Sequence, residues 1–233
     1  IITDKAKAKE LAAHLEDLVT KDGFEFYVLA DGSSQQEYMP VGVAFGTTDG
    51  KTSYVPIDND VLLAQGLTLG TFKEIFGRVL EHKKPIKCGY DTKYMKHVFA
   101  NVGINLAGVS DDVMLESYVL EAHRSHTIEK LAANWLKYEL RGEEELLGKG
   151  AKKLSFSQVS VEKAAEFASE RVFIVSRLNR LFKKALSDDA KLEKIYRDIE
   201  MPLSDVLFKM EQNGVLIDTK LLDQQTAQLN TKA

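Results

Sequence analysis

The segment from Pro85 to Leu136, PIKCGYDTKYMKHVFANVGINLAGVSDDVMLESYVLEAHRSHTIEKLAANWL, does most to limit what this chain can fold into. It opens on a short apolar strand, Ile86 to Cys88, stopped by Gly89. A helix follows with Asp91 or Thr92 as its cap; Tyr94, Val98 and Phe99 fall near helical spacing and Asn101-Val102-Gly103 ends it. Ile104-Asn105-Leu106 reads as a second extended piece. Asp111 and Asp112 stand where negative charge favours a helix start, and Met114, Ser117, Tyr118 and Glu121 share one face of that helix. A third helix sets Ile128, Leu131, Ala132, Trp135 and Leu136 on one stripe at i, i+3, i+4, i+7 and i+8. Strands and helices alternate too closely here for anything but a compact αβ core.

The flanking segments extend that core. Ile1 to Thr3 reads as a short extended piece, and the next helix buries Leu11, Leu15, Leu18 and Val19. Lys21-Asp22-Gly23 turns into the strand Phe24 to Leu29, which Asp31-Gly32-Ser33-Ser34 ends. Val41–Phe45 and Ser53–Ile57, joined by Thr48-Asp49-Gly50-Lys51, complete an antiparallel meander, and a helix over Thr71 to Glu81 leads back to the central segment. Beyond it, Arg141 to Lys153 reads as a charged surface loop with short helical pieces. Ser160 caps the longest helix, whose inner face carries Ala164, Ala165, Ala168, Val172, Val175 and Leu178. Asp188-Asp189 breaks the pattern, another helix runs to Glu200, and Pro202 interrupts or restarts it. The stripe Leu203, Val206, Leu207, Met210 stops at Asn213-Gly214, and the polar residues after it read as loosely held. A meander followed by αβα units predicts a mixed sheet with helices around it.

Composition sets the outer limits. The chain has 233 residues, enough for one large domain or one domain plus a fragment of the next. A net charge of −4 argues against non-specific nucleic-acid binding as its main task while leaving room for a local groove. The single cysteine, Cys88, rules out a disulfide framework and fits a reducing, cytoplasmic setting. No apolar run is long enough to span a membrane, and no signal peptide is expected. A start at Ile1 and a polar end are expected of a piece cut from a longer protein.

The runs GINLAGVSDDVMLESYVL and HTIEKLAANWLKYE resemble the 3′–5′ proofreading exonuclease domain of the bacterial DNA polymerase I family (family A). The likeness extends over residues 1–186. IEMPLSDVLFKMEQNGVLID, Ile199 to Asp218, resembles the first segment of that family's polymerase domain, so residues 187–233 are expected to be a linker helix and the start of that domain. The resemblance implies a ribonuclease-H-like fold, with the polymerase domain of the same chain and, through the parent protein, DNA as partners. It also implies two Mg²⁺ or Mn²⁺ ions held by carboxylates, which position the attacking and leaving oxygens of a phosphodiester. The family's ligands are an Asp-x-Glu pair on the first strand, an Asp on the helix after the middle strand, and a Tyr-x-x-x-Asp on the long late helix. Carried over without gaps from VGVAF, NVGINL and KAAEFASE, these positions are occupied here by Tyr27, Leu29, Met95, Phe167 and Arg171. Every carboxylate is replaced, one by a cation that does not lose its proton. The expectation is a retained fold, no metal cofactor, no catalytic residue and an apolar plug in which Tyr27, Leu29, Met95 and Phe167 converge. Arg171 is expected to be solvated or paired with an acid, Asp31 and Asp112 first.

Other residues carry chemistry of their own. Asp31, Asp91, Asp111 and Asp112 are the acids that could relocate a metal site, although Asp91 and Asp112 fit helix-start roles better. His123 and His126 lack further zinc ligands at the usual spacing and read as solvated or core residues. Gly148-Lys149-Gly150-Ala151-Lys152-Lys153 lacks the spacing of a phosphate loop. Lys149, Lys152 and Lys153, and the helix face of Arg177, Arg180 and Lys184, are candidate DNA-backbone contacts, with plain solvation as the competing role. Trp135 reads as core, and Glu116 and Tyr118 as packing residues. Three functions follow from this sequence: a catalytically silent exonuclease-like domain that supports the polymerase; an active exonuclease with relocated ligands; and a nucleic-acid-binding module without hydrolysis.

Overall fold

The computed structural model describes all residues except 20, 22, 48–49, 59–65, 85 and 233. Asp22, Thr48, Asp49 and Pro85, which the sequence places in turns or at the strand entry, therefore lie outside the described residues. Helix α1 (Lys5–Val19) leads into a meander of β1 (Phe24–Asp31), β2 (Met39–Gly46) and β3 (Thr52–Asp58). A two-residue strand β4 (Leu67–Thr68) precedes α2 (Leu69–Leu80), which Thr68 caps by accepting from the Thr71 amide. Then come β5 (Lys87–Gly89), α3 (Thr92–Asn101), β6 (Val109–Asp112) and α4 (Val113–Leu120). The sheet order is β4-β3-β2-β1-β5-β6. β1, β2 and β3 pair antiparallel, whereas β1, β5 and β6 run parallel. The mixed sheet is the expected one.

Helix α5 (Ile128–Leu131) passes into a π turn over Ala132–Leu136, α6 (Glu143–Leu147) is a short piece of the charged loop, and α7 (Val161–Ser187) crosses the sheet. Ser160 caps α7, and all six alanine, valine and leucine positions expected on its inner face are buried. Its close approach to the sheet depends on Gly46, since a Cβ there would collide with Cγ1 of Val172. One core lies between the sheet and α1, α2 and α3, around Phe24, Phe26, Phe45, Phe72 and Phe76. Two more lie under α7. After α8 (Ala190–Ile195) a π turn, Tyr196–Glu200, continues into α9 (Met201–Asn213), and α10 (Thr219–Lys232) ends the chain.

Several local expectations change. Ile2 donates to the Tyr54 carbonyl at 2.8 Å, yet residues 1–3 form no strand. Residues 104–106 are irregular; the strand is Val109–Asp112, whose polar sequence gives no alternating signal. On α4 the buried face is Val113, Glu116 and Ser117, while Tyr118 is exposed. Trp135 is half-buried, its ring edge-on to Phe182 with centroids 5.0 Å apart. Pro202 stands in the first turn of α9 directly after the π turn, so the helical path is not broken. After a non-helical stretch over 214–218, the tail forms α10, and residues 213–231 are exposed.

Candidate functional site

Strand alternation decides which side chains of β1 meet α7. Phe24, Phe26, Val28 and Ala30 face the core under α1 to α3, which turns Tyr27 and Leu29 toward α7. On α7, Phe167 and Arg171 are one turn apart on the side that faces them. Leu29 and Phe167 share one apolar cluster with Ala44, Tyr54, Ala164 and Ala168. Met95, on α3, belongs to the neighbouring core with Phe26, Val98 and Phe99. Tyr27 packs against both. The four positions do not form the single plug expected, because Met95 belongs to the core on the α1–α3 side of the sheet and Leu29 and Phe167 to the one under α7.

Arg171 takes the place where the resemblance puts an aspartate, and it is only 1% exposed. Its Nη2 donates to Glu129 Oε1 at 2.9 Å and to the Arg141 carbonyl at 2.8 Å, and Nη1 reaches the Phe167 carbonyl at 3.5 Å. The guanidinium lies 3.3 Å from the centroid of the Phe167 ring and 6.0 Å from that of Tyr27. Only its Nε has no partner. The cation is therefore paired, as expected, but by Glu129 and not by Asp31 or Asp112. Nothing in the sequence marks Glu129 for this, since it lies 42 residues from Arg171 and is joined to it only by the packing of α5 against α7. Burial pushes the Tyr27 hydroxyl up to about 12, with Arg171 pulling the other way, so it stays a neutral phenol near pH 7.

The acids that could have relocated a metal site are already in use. Asp31 accepts from the Phe156 and Ser157 amides at 2.6 and 3.1 Å. The β1–β2 register slips between Leu29 and Ala30, so Asp31 is not a simple continuation of the Tyr27–Leu29 face. Asp91 caps α3 in a left-handed conformation and accepts from the Tyr94 amide at 3.3 Å. Asp112 accepts from the Thr92 amide and hydroxyl at 2.6 and 2.8 Å and also caps α4. Burial raises both Asp91 and Asp112, and the donors from Thr92 oppose the shift at Asp112. Asp111 is bound by Lys183 at 2.7 Å and Arg197 at 2.8 Å. Among the described residues no group of three or more His, Cys, Asp or Glu side chains is gathered as for a metal ion. A pair of hard divalent ions would meet a phenol, two apolar side chains, a soft thioether and a cation at these positions. The donor set does not fit it.

The remaining candidates are dispersed. His126 Nδ1 lies 3.0 Å from Ser117 Oγ, and its ring is edge-on to Tyr118; His123 is exposed. Lys149 is paired with Glu144 at 2.6 Å, and Lys152 and Lys153 are exposed. Arg177, stacked on Phe173, and Arg180 line a cleft beside β2, whereas Lys184 is exposed and outside it. Glu116, expected to serve packing, is fully buried, but neither of its oxygens has a partner. Burial pushes its carboxyl up to about 9, with Asp111 adding to the shift and Lys183 opposing it.

Helix α9 docks on α3 by its polar side. Lys93 pairs with Glu211 at 2.5 Å, Lys96 with Asp205, and His97 bridges Glu211 at 2.7 Å and Gln212 at 2.9 Å beneath the Phe208 ring. Its apolar stripe points outward: Leu203, Val206, Leu207 and Met210 are all exposed, Met210 to 61%.

A mixed six-stranded sheet wrapped by helices, with a long helix laid over the strand that should carry the acids, defines the class: a ribonuclease-H-like nuclease fold. Residues 40–178 match the family described as DNA polymerase I, ribonuclease H-like domain, and the chain belongs to that family. DNA polymerase I of Pseudomonas aeruginosa is 35% identical over 84% of this chain and 22% of its own length. That of Borreliella burgdorferi is 25% identical over 95% of this chain and 24% of its own. The chain thus spans about a quarter or less of these relatives. Among solved structures, the POL domain of Pol1 from M. smegmatis, in complex with DNA primer-template and dNTP, is similar with a TM-score of 0.73 at 23% identity, over 95% of this chain and 34% of that one. Brucella melitensis NrnC bound to pGG is similar with a TM-score of 0.61 at 14% identity, over 87% and 92%. At such identities these two likenesses speak to the fold.

Proposed function

We propose that the chain is a catalytically silent 3′–5′ exonuclease-like domain of a DNA polymerase I, with residues 187–233 forming the linker and the first segment of its polymerase domain. The observation that carries this reading is Arg171. A guanidinium paired with Glu129 and stacked on Phe167 occupies the place of a metal-binding carboxylate, and the other four positions offer no ligand. The work left to the domain is structural, as a cytoplasmic part of the parent enzyme with no resident metal. The outward stripe of α9 supports this division, since an apolar helix face of that length is suited to burial against a further domain. No helix among the described residues is long and apolar enough to cross a membrane.

The test is digestion of a 3′-labelled single-stranded oligonucleotide with Mg²⁺ or Mn²⁺. The account expects no shortening. Trimming from the 3′ end that disappears in Asp31→Ala or Asp112→Ala would instead favour an active exonuclease with relocated ligands.

A further inference from the structure

We propose that the end of the domain away from the replaced catalytic positions carries a groove for the backbone of single-stranded DNA. Two clefts meet there, of about 640 and 260 Å³, and both count Glu25, at the start of β1, in their walls. Lys21, Lys84, Lys183 and Arg197 line the first. Arg177 and Arg180 line the second. The acids among the described lining residues are Glu25 and Asp111, and Asp111 is already shared by Lys183 and Arg197. In a chain of net charge −4 this local excess of cations is not inherited from composition. It is set by the fold, which brings together the turn before β1, the start of β5, the second half of α7 and the π turn after α8. Arg180 lies nine residues beyond Arg171, about 13 Å along the same helix, and although Val172 and Phe173 reach the second cleft, neither cleft has Tyr27, Leu29, Phe167 or Arg171 in its walls.

Two side chains favour a nucleic-acid strand over a bare anion. Phe173 is half-exposed in the second cleft, with Arg177 over its ring, and offers an aromatic edge and face to an unstacked base. Asn179 lines the first cleft at 7% exposure, and its Oδ1 has no partner in the protein. A base N–H donor, such as the N3–H of thymine, would satisfy that oxygen; a phosphate would not. Cations that follow the backbone, together with one stacking ring, are how proteins hold single strands with little regard to sequence. The choice of DNA over RNA rests on the reading of the chain as a DNA polymerase I domain; the charge and geometry do not.

The experiment is fluorescence anisotropy of the whole 233-residue chain with a fluorescein-labelled oligothymidylate of about 16 nucleotides, the upper end of common single-strand site sizes, in EDTA. The expected result is binding that weakens steeply with added salt. Arg180→Glu and Lys84→Glu, one in each cleft, should each weaken it about tenfold and flatten the salt dependence. Lys9→Glu on α1 should change it by less than about twofold. Thermal melts confirm that the variants fold, and the unmodified chain gives an independent reading, since oligonucleotide should slow amide exchange in the second half of α7. Three results would overturn the proposal: no binding at low salt, a loss that follows Lys152→Glu and Lys153→Glu instead, or equal competition by poly-glutamate. Because EDTA removes divalent ions, this outcome is independent of the digestion assay: hydrolysis with Mn²⁺ would sink the silent-domain reading and leave the groove standing.

Discussion

Arg171 and Glu129 form an ion pair that, on the proposed reading, puts a cation at a carboxylate position without an unpaired buried charge. Such a pair gains little over apolar packing, yet breaking one side of it is costly. Glu129 is a third exposed, so Glu129→Gln should destabilise the domain by about 2 kcal/mol, less than a fully buried pair would lose. Arg171→Met should lose less, about 1 kcal/mol, because the Glu129 left behind is a third exposed and can be hydrated while the thioether fills the space beneath Phe167. Arg171→Asp should be the worst of the three, as it sets a second carboxylate beside Glu129. Urea unfolding of the three variants checks this order, and equal losses for Glu129→Gln and Arg171→Met would contradict it. Glu116 makes a separate prediction. Its folded carboxyl titrates near 9 against an ordinary 4.5, so the folded state keeps a proton that the unfolded chain releases. Its contribution is complete below pH 4.5 and is lost as pH rises through that window, at up to about 1.4 kcal/mol per pH unit. Glu116→Gln should flatten the fall in stability between pH 5 and pH 8.5 measured by urea midpoints, and parallel profiles would refute the assignment.

Elements differ in how plainly the sequence announces them. The meander and α7 are legible because alternation and a long 3.6-residue stripe each bury one face, and every inner residue expected on α7 is buried. β6 is not, because Val-Ser-Asp-Asp is a polar edge strand whose two acids serve ion pairs and a cap, while apolar Ile104-Asn105-Leu106 only anchors a loop to the core. The adjacency of Tyr27, Leu29, Phe167 and Arg171 is legible from strand alternation on β1 and the one-turn spacing on α7. The partner of Arg171 is not, since it depends on tertiary packing alone. Nor is the orientation of α9, where the stripe predicts a buried apolar face and the structure docks the opposite, polar one through Lys93, Lys96 and His97. A clamp of partly exposed ion pairs is screened by salt where an apolar contact is not. Amide exchange in α9 should therefore be faster than in residues 128–136 and should quicken further at about 1 M salt, while the buried positions of α7 stay protected. Equal protection of α9 and residues 128–136 in a demonstrated monomer would show that α9 is held by more than this clamp.

At the scale of the whole molecule, the fold is that of a ribonuclease-H-like domain, and its own side chains fill the space between the sheet and the crossing helix. Tyr27, Leu29, Phe167 and the Arg171–Glu129 pair occupy that space, Met95 lies in the adjoining core, and the acids around them are bound to amides or cations. Restoring one acid, as in Leu29→Glu, should destabilise the domain by about 2 kcal/mol or more without restoring hydrolysis, because a lone carboxylate in an apolar cluster gains no partner. A thermal melt and a digestion assay on that variant decide it, and a stable, active Leu29→Glu would contradict the account. The most direct measurement is calorimetric titration of the unmodified chain with Mn²⁺, paired with a melt at saturating ion. The account predicts no saturable heat and no rise in melting temperature, because an ion stabilises only a fold that binds it. Saturable binding that raises the melting temperature and is lost in Asp31→Ala or Asp112→Ala would contradict it.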